Sequence, residues 1–392
     1  MKKFLVCLIA VMFVLSASTA MAASAENFHE MFTKGGTSGW LKANWWNREF
    51  DNVDPDHVTL NFGMKLKFDA AVYNGFTFRA GFYANEDFGL NDPDADERQY
   101  GLLGQNGTDG QFDRYQTWGE YYLRYTWQAT SFTIGSEELK TGGFSFWPAR
   151  MIPMTYENVN IVNKSIKGLK LHGGYVWAVR DTATPDFKDV SEDGWFWAEG
   201  DYRGIKGARI NMGYFYYTDS AWALNLHATY KAKMNKDWGY NVFGLYRIEG
   251  ENNDDDFDTY SAGLRAGLSY AGHKLEGQYA WIGDESDRMP RGAFKAVQIQ
   301  INGVEEADED GWAIVYGYKF GGAAKGLSAG VTYAEFDRTA NDRQELDLEL
   351  RYRPKAGMFK YSDFRVRYAA VDEDNNGSGN LDDFRFYYTY SF

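Results

Sequence analysis

The chain has 392 residues with 41 Lys and Arg against 55 Asp and Glu, a formal net charge of −14, and 18% aromatic residues. That acidity excludes nucleic acid as a partner. Beyond the N-terminus no run of about 18 apolar residues exists, which excludes a spanning helix.

Lys2 and Lys3 precede an apolar stretch, Phe4–Leu15, and Ala20-Met21-Ala22 has the small-x-small form of a cleavage site. This reads as a secretory signal peptide over residues 1–22, too short to span a bilayer, followed by one domain over 23–392. The only cysteine, Cys7, lies inside the signal, so the mature domain is expected to hold neither a disulfide nor a reactive thiol.

From there on the signal is alternation. Thr37–Arg48 puts Trp40, Lys42, Asn44 and Trp46 on one column. In His57–Val72, Val58, Leu60, Phe62, Met64, Leu66 and Phe68 alternate with Thr59, Asn61, Gly63, Lys65, Lys67 and Asp69. A period of two is that of a β-strand, whose successive side chains point to opposite faces. Asn74-Gly75 then signals a tight hairpin into Phe76–Asn85, where Arg79 falls on the polar column. Further alternating segments cover Arg114–Trp127, with Glu120 and Arg124 on the polar side, Ser131–Glu137, Tyr156–Ile166, Leu169–Val179, Gly194–Tyr202 and Ala208–Thr218. They continue through Trp222–Met234, Gly239–Glu249, Thr259–Tyr270, Lys274–Gly283, Gly311–Phe320, Gly326–Phe336, Gln344–Arg353, Lys360–Val371 and Leu381–Phe392.

Each strand therefore has one apolar, aromatic-rich face and one charged face. Strands of roughly 9–11 residues are long enough to cross a bilayer at a tilt, with apolar side chains towards lipid and polar ones towards a lumen. The 28 Tyr, 28 Phe and 13 Trp suit the aromatic girdles of such a barrel, and 42 Gly against 7 Pro suit long ladders. Connections alternate between short (Tyr73–Gly75, Gln128–Thr130, Lys167–Gly168, Gly204–Lys206) and mostly long (Glu86–Asp113, Glu138–Thr155, Asp181–Asp193, Asp284–Asp310). The expected fold is all-β: a transmembrane antiparallel β-barrel of about 18 strands, with short periplasmic turns and long external loops, in the outer membrane of a Gram-negative bacterium.

Several stretches resemble the OprD family of substrate-specific porins. They are Trp45-Trp46-Asn47-Arg48-Glu49-Phe50, Ile134-Gly135-Ser136-Glu137-Glu138, Ala149-Arg150-Met151-Ile152-Pro153-Met154-Thr155-Tyr156-Glu157, Lys167-Gly168-Leu169-Lys170-Leu171 and the Tyr-rich last strand. The resemblance spreads over most of the mature chain, which is shorter and more acidic than the family pattern. It implies an 18-stranded barrel, monomeric or a loose homotrimer, with the third external loop folded inward as a constriction. It also implies uptake of small carboxylate-bearing solutes along a basic ladder.

A pore's chemistry is its lining. The inward columns offer Lys42, Lys65, Lys67 and Arg79 near the start, and Arg351, Arg353, Arg365, Arg367 and Arg385 near the end. Closure would bring the two sets onto one wall, and the planar guanidinium fork suits a carboxylate. Glu345, Asp347, Glu349, Asp363 and Asp383 stand among them, so the charges either oppose each other across the pore, orienting a zwitterion, or neutralise one another. The loop Glu138–Thr155 is the expected eyelet, with Glu137, Glu138, Lys140 and Arg150 as its charges, the alternative being an ordinary external loop.

No cofactor is expected, apart from calcium as one reading of a single loop. Asp372, Asp374, Asn376, Ser378 and Asp383 fall at positions 1, 3, 5, 7 and 12 of a calcium loop with Gly377 at 6; the alternative is a plain acidic hairpin tip. An enzyme is not expected. His29, His57, His172, His227 and His273 form no zinc spacing, and no serine stands beside Asn225 and His227. The expected partners are outer-membrane lipid and small solutes. The expected function is passive diffusion of small hydrophilic solutes, carboxylate-bearing or zwitterionic. Its alternatives are a cation-preferring general porin and a structural or adhesin barrel without conductance.

Overall fold

Alternation becomes a closed sheet in the computed structural model, which describes residues 24–51, 57–91, 104–105, 112–145, 150–252, 258–284, 297–301, 304, 306–338, 342–373 and 380–392. The barrel strands are β1 (Gly36–Phe50), β2 (His57–Asp69), β3 (Phe76–Glu86), β4 (Tyr115–Trp127), β5 (Thr130–Glu137) and β6 (Thr155–Asn163). Then come β7 (Leu169–Arg180), β8 (Trp195–Tyr202), β9 (Ala208–Tyr217), β10 (Ala221–Lys233), β11 (Trp238–Glu251) and β12 (Asp258–Tyr270). The last are β13 (His273–Ile282), β14 (Asp310–Lys319), β15 (Leu327–Asp337), β16 (Arg343–Tyr352), β17 (Ser362–Glu373) and β18 (Leu381–Ser391). A two-residue piece, Lys188–Asp189, also joins the sheet beside β7.

Each long strand pairs antiparallel with the next, and β18 returns to β1, from Trp40 opposite Ser391 to Phe50 opposite Leu381. Closure leaves no edge, so the ladder satisfies its own N–H and C=O groups, as hydrocarbon surroundings require. Among the described residues no helix is long and apolar enough to cross a membrane. The strands do the crossing, with their apolar face outward. In β16, Leu346, Leu348 and Leu350 are 39%, 46% and 47% exposed, whereas Glu345 and Asp347 are 1% and 6% exposed.

All the expected strands form, with ends shifted by a few residues. Asn74 and Gly75 have φ of 48° and 84°, the left-handed pair of a type I′ hairpin. β2 stops at Asp69 rather than Val72, because the N-terminal segment takes over the backbone there. The Ala71 N–H donates to Met31 O at 2.9 Å and the Ala25 N–H to Val72 O at 2.8 Å. That segment contains a short helix, α1 (Phe28–Thr33), for which the strand pattern gave no expectation. Its start is a capping arrangement: the Asn27 side chain accepts from the Glu30 N–H at 3.0 Å, and Glu30 accepts from the Glu26 N–H at 2.7 Å. Phe32 packs 5.4 Å from Phe78 on the outer face of the barrel.

A bulge corrects one column. Strict alternation back from Glu120 would turn Trp118 into the lumen. Instead Gly81 opposes Glu120 and Phe82 opposes Trp118, with Gly119 the extra residue. Trp118 is thereby 60% exposed on the lipid side.

Candidate functional site

The connection between β5 and β6 turns into the barrel. Leu139, Phe144, Met151, Ile152 and Met154 are all buried. The Phe144 ring lies 5.3 to 6.1 Å from the rings of Tyr156, Trp195, Trp197, Phe215 and Tyr217, a cage of inward side chains from β6, β8 and β9. Polar contacts fix the backbone beside it. The Gly142 N–H donates to Glu199 at 2.6 Å, Asn225 donates to Gly142 O at 3.0 Å, and the Tyr217 hydroxyl donates to Gly143 O at 3.0 Å. A Cβ on Gly143 would stand 2.3 Å from the Phe215 ring, so the chain approaches this wall as closely as glycine allows. At the other end, Arg180 donates to Pro153 O at 2.5 Å and Lys42 to Arg150 O at 3.2 Å. The segment thus reaches across from β5 to β8–β10 and returns beside β1. Residues 146–149 lie outside the described residues.

The charges expected on the first wall face inward and are mostly engaged. Lys65 sits 2.6 Å from both Glu120 and Glu138. Arg79 bridges Asp69 and Glu120 at 2.5 and 3.1 Å, and the Tyr83 hydroxyl donates to Glu120 and Glu138. Glu137 is held by Arg124 and by Asn160. Lys42 lies 4.3 Å above the Trp40 ring. Lys67 makes no ion pair among the described residues. Arg150 projects over Trp46, its guanidinium 5.7 Å from the ring, while Lys140 is exposed.

On the last wall, acids and bases alternate within one surface rather than standing opposite each other. Asp363 pairs with Arg351 and Arg353, Glu349 with Arg365 and more loosely with Arg367 at 3.7 Å. Across the β1–β18 seam, Arg48 and Arg385 both hold Asp383, and the Arg385 guanidinium lies 4.2 Å from the centre of the Trp46 ring. Closure does place both sets of strands side by side. It also pairs most of the cations there.

A second connection, between β13 and β14, enters the lumen as well. The Gln298 N–H donates to Gln278 at 2.8 Å, and the Gln300 N–H donates to Glu345 and Asp347 at 2.9 and 2.8 Å. The Gln300 side chain donates to Asp383 at 2.7 Å. The acidic column thus serves as a dock for this segment. Sequence reasoning saw only a long loop here, since nothing in residues 297–301 is charged.

Gln298 borders two cavities. One, of about 710 Å³, is lined by Asp347, Glu349, Arg365 and Arg367. The other, of about 930 Å³, faces β9–β14 and holds Lys140, Arg209, Lys231, Lys233, Lys236, Arg265, Lys274 and Lys319 against two carboxylates, Asp237 and Glu276. Apart from Lys140, none of these cations was singled out in the sequence. The signal existed, because Arg265 and Lys274 lie on inward columns and Lys231, Lys233 and Lys236 stand close together in the sequence. Arg265 lies 4.0 Å over the Phe243 ring, and its buried Nε has no hydrogen-bond partner among the described residues.

In the calcium reading, Asp374, Asn376 and Ser378 fall outside the described residues. Asp372 is exposed, and Asp383 is turned into the lumen onto Arg48 and Arg385. Among the described residues no group of three or more His, Cys, Asp and Glu is placed to hold a metal ion.

Comparison with known proteins adds to this geometry. A family model described as outer membrane porin, OprD family, matches residues 84–392. Among solved structures, OccAB3 of Acinetobacter baumannii is 18% identical with a TM-score of 0.83, covering 92% of this chain and 99% of that one. OccAB2 of the same organism is 17% identical, with a TM-score of 0.83 and coverage of 93% and 99%. OpdK of Pseudomonas aeruginosa, solved with vanillate, is 19% identical, with a TM-score of 0.80 and coverage of 92% and 99%. No curated protein matches the sequence.

Proposed function

Because the chain belongs to the OprD family of outer membrane porins, we propose that it conducts small hydrophilic solutes carrying a carboxylate, by way of the cationic cavity facing β9–β14. It is a channel of the Gram-negative outer membrane and not an enzyme. The observation that carries the carboxylate reading is the excess of cations in a cavity of about 930 Å³, eight against two lining carboxylates, even with Arg209 engaged by Asp201 and Lys274 by Glu276. A field of one sign in a cleft with low-dielectric walls concentrates counter-ions. Arg265 lines this cavity in no ion pair among the described residues, and it is the arginine there whose planar fork suits two oxygens.

The cation-preferring alternative rests on the acidic column, and those acids are occupied. Glu345 and Asp347 accept from the Gln300 backbone, and Asp383 is shared by Arg48, Arg385 and Gln300. The net charge of −14 is that of the whole chain, whereas the lining of this cavity among the described residues is cationic. The second cavity offers Glu349 beside Arg365 and Arg367, a mixed lining that also accommodates a zwitterion. OpdK was solved with vanillate, a small aromatic carboxylate, and such a molecule fits the chemistry of the cationic cavity.

The test is the reversal potential of the purified protein in a planar bilayer under a salt gradient, for wild type and Arg265→Gln. Anion preference that weakens in the variant, with block of the current by benzoate, is expected. Cation preference unchanged by the substitution would refute the carboxylate reading. Absence of any current would refute conduction altogether.

A further inference from the structure

The outer face of the barrel carries an apolar groove of about 940 Å³ across β6–β10. Its floor is made by small outward residues: Gly173 stands opposite Ala198, and Gly200 lies next along β8. Ile161, Phe196 and Met212 are among the larger side chains that wall it. The groove runs down to Leu169 and Tyr202, the strand ends that lead into two short turns, 164–168 and 203–207.

These two turns touch. The Arg203 N–H donates to Gly168 O at 2.6 Å, and a Cβ on Gly168 would fall 2.7 Å from Gly204 Cα. Together they present Lys164, Lys167 and Lys206, all exposed and none in an ion pair among the described residues. The neighbouring Arg203 is different, being turned to Asp201 at 2.8 Å. Ile166 and Ile205, on the same turns, are 56% and 54% exposed. The short turns Tyr73–Gly75, Gln128–Ala129 and Ala271–Gly272 carry no charge, whereas Lys236, Lys325, Lys355 and Lys360 lie in other connections of the same rim; what sets 164–168 and 203–207 apart is that they touch each other at the foot of the apolar groove. Short turns mark the periplasmic side of such a barrel.

We propose that this face seats one anionic phospholipid of the periplasmic leaflet, an acyl chain in the groove and the phosphate headgroup among Lys164, Lys167 and Lys206. Three features support that occupant over another protein chain. The groove is continuous with the lipid-facing surface, the cations stand on the turns that adjoin its Leu169 and Tyr202 end, and exposed isoleucines flank them as at membrane interfaces. Unpaired lysines at the water–lipid boundary attract anionic headgroups, with an effect of about fivefold in affinity for each.

Native mass spectrometry of the full chain in detergent, with phosphatidylglycerol and phosphatidylethanolamine of matched acyl chains, tests this. Wild type is expected to retain phosphatidylglycerol preferentially. The triple variant K164Q/K167Q/K206Q is expected to lose that preference by at least about tenfold. Gly200→Leu is expected to lower retention of both lipids. It should fold, since a Cβ at Gly200 meets only Leu171 and Leu169, at 3.7 and 3.8 Å. Equal retention of the two lipids by wild type, or an unchanged preference in the triple variant, would overturn the headgroup site. Unchanged retention in Gly200→Leu would overturn the seated chain. A wild-type dimer in detergent that Gly200→Leu renders monomeric would assign the groove to a second copy instead.

Discussion

Replacing Phe144 by Ala should release the inward loop without dismantling the barrel. Phe144 is 1% exposed and is enclosed by five aromatic rings within 6.1 Å. Deleting a buried Phe side chain costs about 3–5 kcal/mol. The ladder of eighteen strands does not pass through Phe144, so that cost falls on the docked position of the loop. At 1.4 kcal/mol per factor of ten, even the lower figure shifts the docked-to-undocked ratio by more than about 100-fold. The contacts of Gly142 and Gly143 with Glu199, Asn225 and Tyr217 remain, each worth roughly 1 kcal/mol net, and they only partly hold the segment in place. Single-channel recording should therefore show larger and noisier openings for Phe144→Ala, while thermal unfolding of the barrel in detergent stays close to wild type. Phe144→Leu should fall between the two. Currents of wild-type amplitude and noise in Phe144→Ala would mean that the loop does not limit the pore.

Three further outcomes follow from the same geometry. Lys65→Met leaves Glu120, 1% exposed, with Arg79 as its remaining cation; the barrel should lose about 3 kcal/mol, the lower end for breaking a buried pair, and the double variant with Glu120→Gln should recover part of it in detergent melting experiments. Arg150→Ala removes the guanidinium over Trp46 and should shift conductance or ion selectivity; unchanged currents would exclude Arg150 from the constriction. Calorimetric titration with millimolar calcium should give no binding heat attributable to Asp383, because Arg48 and Arg385 hold its carboxylate; a response abolished by Asp383→Asn would contradict this placement.

The alternation of side chains is a local property, and it was enough to place all the barrel strands and, except before the bulge at Gly119, to say which residues face the lumen. Leu346, Leu348 and Leu350 against Glu345, Asp347 and Glu349 illustrate this, since a pleated strand must send neighbours to opposite faces whatever else the chain does. The hairpin at Asn74-Gly75 and the inward direction of the loop from Glu138 to Thr155 were also legible, the first from backbone sterics and the second through family resemblance. What the sequence did not decide was the state of each inward charge. Arg48 and Asp383 are 335 positions apart in sequence yet share one hydrogen bond, because barrel closure brings β1 against β18. Arg265, on a strand with no conspicuous charge pattern, is left facing the cavity, whereas Arg385 is bound to its neighbour two positions away. The entry of residues 297–301 onto Glu345 and Asp347 was equally hidden, since an uncharged segment carries no mark of where it docks. Facing inward is fixed within a few residues of chain, but being available to a solute depends on what closure and the two inserted segments bring within hydrogen-bond reach.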